Sequence, residues 1–348
     1  MENNLKQLLD CARGVNIPAE FENQSVDYSA ALRDELNRLM GTKHKFERNA
    51  PEVFEILEET AEEILPRKVL DLIGMFAEVR QFGNKDRLIF KKKLGKMRGK
   101  TYVTRATAAG VYETFRLDQE QFEITPHAYG AGAIMDFERY LDGDEDILEM
   151  YDIILDGLAE RIYQEIQGML LATWNDAGRP AANKVASNGF DSAKMVKLIS
   201  TVSAYGTPVI YCGHEFASQM ANVMTDGKNY WYVPDKDRED FRNQGYIGQF
   251  AGASVVVMPN SFTDETNSTM IFNPRFAYVI PAGREKIVKV GMVGESHMRY
   301  VEHMDWGMEI QFYKKLGMAI VSEPYYWGIY YNSSIEDGGW DNDKILNA

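Results

Sequence analysis

Apolar residues recur at three- and four-residue spacing through one long stretch of the chain. Ile147, Tyr151, Ile154, Leu158, Ile162, Ile166 and Met169 share one face between Asp146 and Leu170. That spacing predicts an amphipathic helix of about 25 residues, roughly 37 Å long at ~1.5 Å per residue, against an average of about 11–12 residues. Shorter helical patterns precede it. Leu5, Leu8, Leu9 and Ala12 form one that stops at Gly14, and a second runs from Tyr28 to Met40 and stops at Gly41, a fitting C-terminal residue. A third, from Pro51 to Leu65, sets Val53, Ile56, Leu57 and Ile64 mostly opposite Glu52, Glu55, Glu58, Glu59, Glu62 and Glu63. Pro66 is expected to break this helix, with helical character resuming from Arg67 to Phe76.

Between Leu88 and Leu117 the pattern changes to β-branched and aromatic residues in partial alternation, around a basic turn region holding Gly95 and Gly99. This predicts a long β-hairpin. Its faces are too polar to build a core, and a two-stranded ribbon is marginal alone, so it is expected to lie on another surface. The segment from Glu120 to Leu141 reads as a strand with a glycine-rich turn, Gly130 and Gly132, before the long helix. After Trp174 and a loop to Gly189, a compact α/β pattern follows: a helix from Asp191, with that residue as its cap, to Tyr205; a buried strand ending at Cys212; a helix from Glu215 to Met224; and strands at 252–259 and 270–281. A polar, aromatic loop occupies 226–245. The last third, Lys286 to Tyr331, is strand-rich, and no repeat of 20 to 50 residues is visible.

Charge sharpens this picture. The chain has 348 residues and a formal charge of −14. Arg80 to Arg105 carries ten basic residues and one acid, so this segment of +9 leaves −23 for the rest. Asp142, Asp144, Glu145, Asp146 and Glu149 then open the long helix, where acids suit the positive end of its dipole. A basic arm and acidic helices in one chain can satisfy each other across copies of the molecule. The predominantly acidic surface argues against general nucleic-acid binding. The apolar fraction of 45% is that of a folded chain. No run of about 18 apolar residues suggests a membrane span, the N-terminus lacks a signal-peptide pattern, and Cys11 and Cys212 form no disulfide framework. Synthesis in a reducing cytoplasm fits.

Candidate chemistry is sparse. His44, His127, His214, His297 and His303 show no metal-binding spacing, and His214-Glu215 lacks a second histidine four residues on. Gly130 to Met135 begins like a dinucleotide fingerprint but has no third glycine. There is no phosphate loop and no nucleophile elbow. No catalytic, metal or cofactor site is expected. Lys91, Lys92 and Lys93 read either as an inter-subunit ion-pair surface or as a solubilising or nucleic-acid-contacting cluster. Tyr230, Trp231 and Tyr232 read as a contact loop, with a ligand pocket as the alternative.

With its elements in this order, the chain resembles the tailed-bacteriophage major capsid proteins of the Hong Kong 97 fold. The hairpin resembles that family's extended E-loop, and DGDEDILEMYDIILDGLAERIYQEIQGMLL its spine helix. TPVIYCGHEFASQM and IGQFAGASVVVMPNS are similar to elements of its axial domain, and MEIQFYKKLGMAIVSEPYYWGI to its C-terminal return strands. The likeness covers roughly residues 50 to 331, and the order of the elements gives most of its specificity.

The resemblance implies an α+β fold with a long spine helix, an extended β-hairpin E-loop and an α/β axial domain. It implies an N-terminal arm at 1–50, a peripheral domain at 51–78, 119–190 and 283–315, the E-loop at 79–118, the axial domain at 191–282, and a return strand and tail at 316–348. It implies a non-enzymatic subunit that self-assembles, as pentamers and hexamers, into the icosahedral shell around a phage genome. Lys91, Lys92, Lys93, Lys96, Arg98 and Lys100 are the expected subunit contacts, with Asp144, Glu145, Asp146, Glu149, Tyr230, Trp231 and Tyr232. About 50 N-terminal residues are too few for a fused scaffold, so scaffolding would come from a separate protein or be absent; further partners would be a portal, a decoration protein and packaged DNA held without sequence preference. No asparagine matches the acceptor of the lysine cross-link that some members form, so cross-linking is not expected. An encapsulin-type nanocompartment shell and a cytosolic α/β enzyme are the alternatives.

Overall fold

A computed structural model of the chain describes residues 28–93, 119–142, 147–225, 243, 245–283, 286–302 and 307–347. Two helices open it, α1 (Tyr28–Met40) and α2 (Lys43–Ile73). Strands β1 (Ala77–Phe82), β2 (Ile89–Lys93), β3 (Gln119–Glu123) and β4 (His127–Asp136) follow, then the short α3 (Phe137–Asp142) and the long α4 (Ile147–Ala172). The α/β part comprises β5 (Lys184–Ser187), α5 (Ser192–Ser203), β6 (Thr207–Cys212), α6 (His214–Thr225), β7 (Gln249–Phe250), β8 (Ala253–Val257) and β9 (Phe276–Ala282). Two long strands, β10 (Val288–Glu302) and β11 (Gly307–Ile320), then β12 (Gly328–Asn332) and α7 (Asn342–Asn347), complete the order.

The strands form two main sheets, β1-β10-β11-β4 and β5-β12-β9-β6-β8-β7, and the β2-β3 ribbon. Helices α2 and α4 pack together on one face of the four-stranded sheet. Every residue of the predicted apolar stripe of α4 is buried except Met169, which is half-buried. The hydroxyl of Tyr151 donates to the carbonyl of Leu57 at 3.0 Å, fastening the two helices. The six-stranded sheet is covered on one face by α5 and α6 through Met195, Leu198, Val202, Phe216 and Met220. Its other face meets the end of α4, where Gln167 donates to the Tyr278 hydroxyl at 3.1 Å and Trp174 packs edge-on to Phe276. Asp191 caps α5 as expected, accepting from the amides of Ala193 and Lys194. Arg179 ties the end of α4 to the passage between the sheets. It donates to the carbonyls of Thr173, Pro324 and Trp327 and lies 4.1 Å from the Trp327 ring centroid. Burial pulls its guanidinium down to about 10.

Three expectations change. Helix α2 runs unbroken through Pro51 and Pro66 and crosses the expected arm boundary at residue 50. Proline 66 has no N–H for the carbonyl of Glu62, but the Gln81 side chain on β1 donates to that oxygen at 2.8 Å. The orphaned acceptor is thus filled from a strand, and the helix continues. Gly130 and Gly132 form no turn; they lie inside β4, which pairs with β11 along its whole length. Finally, β11 is one continuous strand across the boundary expected at 315/316, and the chain passes to the second sheet only after Ile320.

Candidate assembly surfaces

The basic hairpin is described at its root. β2 and β3 pair antiparallel, Ile89 opposite Glu123 and Lys93 opposite Gln119, so Lys91 to Lys93 lie where the ribbon leaves the body. Lys91 is exposed. Lys96, Arg98 and Lys100, and the rest of the stretch between the two strands, lie outside the described residues. So do Asp144, Glu145 and Asp146 before α4, and Tyr230, Trp231 and Tyr232 in the 226–242 loop. Glu149 is exposed on the first turn of α4.

The root contradicts the expectation that the hairpin has no apolar face for its own domain. Leu88, Phe90 and Ile124 are buried with Val293 against Phe82 and Ala319. Leu88 enters a socket that exists because two glycines, Gly291 on β10 and Gly317 on β11, are paired across the sheet. A Cβ at Gly317 would lie 2.7 Å from Leu88 Cδ1, and one at Gly291 would overlap Leu88 Cδ2. Sequence reasoning passed over this socket. Its signal was a glycine interrupting each of two alternating strands, a mark of close approach by another chain segment.

The acids of α2 divide by face. Glu52, Glu55, Glu59 and Glu63 are exposed. Glu58 and Glu62, one turn apart, turn toward a bulge in β10 between Val293 and His297. Glu62 accepts from the Ser296 amide at 2.8 Å, and Glu58 accepts from the Met298 amide. Lys314, on β11, donates to the Gly294 carbonyl at 2.6 Å and stands 3.5 Å from Glu62. Two backbone groups inside the bulge, the Ser296 amide and the Gly294 carbonyl, are thus taken up by side chains. On α4, Asp156 pairs with Lys68 of α2 at 2.5 Å, an exposed contact worth about 0–1 kcal/mol.

Burial holds the Glu58 carboxyl above its ordinary value of 4.5, with Glu55 and Glu62 adding to the rise and the Met298 amide and His297 opposing it. The folded value exceeds the unfolded one. The stability that Glu58 contributes is therefore full below pH 4.5 and is lost as pH rises through the raised value. Glu58→Gln, which can still accept from Met298, is expected to be more stable than the wild type at pH 7. That advantage should shrink as pH falls toward 4.5. Urea midpoints of both proteins across this range check it, and a gap independent of pH would show that the carboxyl's charge is not responsible.

Among the described residues there is no group of three or more side chains that could hold a metal ion, and no helix is long and apolar enough to cross a membrane. Two hollows flank β4. One, of about 790 Å³, lies between β4 and α4, and the other, of about 540 Å³, lies on the outer face of the sheet over Gly130 and Gly132. Both are open troughs; in the first, the Tyr129 hydroxyl donates to Glu165, which also stands 3.3 Å from Arg161.

A family model described as "SPbeta prophage-derived putative capsid protein YonB" matches residues 5–325. No curated protein matches the sequence. Among solved structures, the chain is similar to a subunit of the satellite phage P4 procapsid that includes the size determination protein, with a TM-score of 0.51 at 10% identity over 80% of this chain and 91% of that one. It is also similar to the capsid of cyanophage P-SCSP1u, with a TM-score of 0.50 at 10% identity over 76% and 88%. For Microbacterium phage Oxtober96 the TM-score is 0.50 at 12% identity over 75% and 90%. At these identities the likeness is one of fold, and the fold is that of the Hong Kong 97 type.

Proposed function

The chain belongs to the YonB family of prophage-derived capsid proteins, a major capsid protein that forms a shell, and from that premise we propose how the shell is put together. The family match over residues 5–325 carries the reading. The role is structural, and the capsid reading takes precedence over the encapsulin and enzyme alternatives.

In the proposed assembly, subunits join as pentamers and hexamers into a closed icosahedral shell around phage DNA, built in the cytoplasm of a bacterial host. Closed shells need symmetric, repeated interfaces. Many weak polar contacts let misplaced subunits leave and rebind. The six-stranded sheet with α5 and α6 forms the axial part, and the loop from Asp226 to Gly245 points toward the capsomer axes. The four-stranded sheet with α2 and α4 forms the peripheral part. The basic hairpin reaches over an adjacent subunit, toward the exposed acids of α2 and Glu149 of α4. A scaffolding protein, a portal and a decoration protein are the further partners.

Negative-stain microscopy of the purified protein, alone and with a candidate scaffolding protein, tests this. Closed shells of uniform diameter are expected. Small discrete oligomers alone, under every condition, would overturn the reading.

A further inference from the structure

Strand β4 forms one edge of the four-stranded sheet. Its inner edge pairs with β11 from Leu316 to Gly307, and among the described residues no strand pairs with its outer edge. Long exposed edges invite pairing, and natural proteins blunt them with lysine, proline or charge. The sequence of β4, HAYGAGAIMD, holds no lysine, arginine or proline. The two most exposed large hydrophobic residues of the described chain flank this edge, Ile134 at 76% and Ile153 of α4 at 64%. Leaving them in water forgoes burial worth about 1.5–3 kcal/mol for a full side chain.

We propose that β4 is a self-pairing edge: it joins the β4 of a second copy, antiparallel about a two-fold axis through Gly132, so that two four-stranded sheets become one of eight strands. Fit at the edge singles out a second copy as the occupant. The residues that pair across β11 show that Gly130, Gly132 and Ile134 share the outer face, with Tyr313, Gln311 and Glu309 beside them. Directly opposed residues of an antiparallel pair share a face. With Gly132 opposite its own copy, Ile134 of each strand lies opposite Gly130 of the other. There the exposed isoleucine meets the hollow that the glycine leaves on the outer face. A one-residue slip would turn Ile134 against the wrong face. On the opposite face, the same axis brings the two α4 helices together beside Ile153. The axis is perpendicular to the sheet, as a contact between copies lying side by side in a shell requires.

The inference rests on the shell reading, and its test separates the two. Gly132→Cys is introduced with Cys11→Ser. A residue on the axis faces its own copy at about 4.5–5.5 Å between Cα atoms, within reach of a disulfide. Shells confirmed by microscopy are oxidised and run on a non-reducing gel. Hydrogen exchange of wild-type β4 amides is compared between shells and dissociated capsomers. The expected result is a covalent dimer from shells, absent from dissociated capsomers, with outer-edge amides exchanging at least about tenfold more slowly in shells. Intact shells that give no dimer overturn the inference and leave the shell reading standing. If the variant does not assemble, wild-type exchange decides: equal rates in shells and capsomers overturn it. Protection that Lys91→Glu/Lys92→Glu/Lys93→Glu removes from assembled shells also overturns it, because the hairpin would then be the occupant. If no shells form from the wild type, both readings fall.

Discussion

Replacing Lys91, Lys92 and Lys93 together with glutamate is expected to reduce shell yield by one to two orders of magnitude while the subunit stays folded. The three lysines stand where the ribbon leaves the body, on a segment of +9 in a chain whose remainder is −23. Each exposed pair is worth about 0–1 kcal/mol, so losing three changes each interface by up to about 3 kcal/mol, or up to about 150-fold. A shell repeats that loss at every copy. Salt should act in the same direction on the wild type, because the Debye length falls from about 10 Å at 0.1 M to about 3 Å at 1 M. Particle counts by microscopy, with circular dichroism melts to confirm folding, provide the measurement. Normal assembly of the variant at low salt would refute the ion-pair surface. Normal empty shells with altered packaging would assign the lysines to DNA instead.

The second large effect is expected at the hairpin root. Leu88→Ala should destabilise the protein by about 2–5 kcal/mol, the range for emptying a buried leucine site. Gly291→Ala alone should also destabilise it, because the new methyl group occupies the space of Leu88 Cδ2. The pair is strongly coupled: Leu88→Ala with Gly291→Ala should cost less than the sum of the two, since the added methyl partly fills the hole the first change leaves. Denaturant midpoints of the four proteins measure the coupling, and limited proteolysis reports whether the root has come away from β10 and β11. Strict additivity would mean that Leu88 does not sit in the glycine socket.

The elements most legible in the sequence are those whose pattern is set by one buried face. The stripe from Ile147 to Ile166 needs only α4 itself to be read, and the Asp191 cap acts within one helical turn. The strand-rich character of Lys286 to Tyr331 likewise led to β10 and β11. What the sequence concealed depends on distant partners. Pro66 looks like a helix breaker because the donor that rescues the Glu62 carbonyl comes from Gln81, on a strand after the helix. Gly130 and Gly132 look like a turn because glycine is ordinarily weak in strands, and the ten-residue pairing with β11 that holds them straight lies about 180 positions downstream. Glu58 and Glu62 read as a solvated acidic face, and they became ligands of a strand bulge only once β10 was placed against α2. The charge of the basic segment is plain in the sequence, whereas the socket at its root required two glycines 26 positions apart to be paired.

The parallel pairing of β1 with β10 sets a timetable. Ala77 lies opposite Val288, and Leu88 depends on Gly291 and Gly317. A ribosome therefore makes the basic segment early and the seat of its root, Gly291 and Gly317, late. Contacts this far apart in sequence form slowly, and a nascent chain short of residue 317 has the basic segment without the socket that holds its root. Incomplete or prematurely terminated chains consequently lack the seat of Leu88 at the hairpin root.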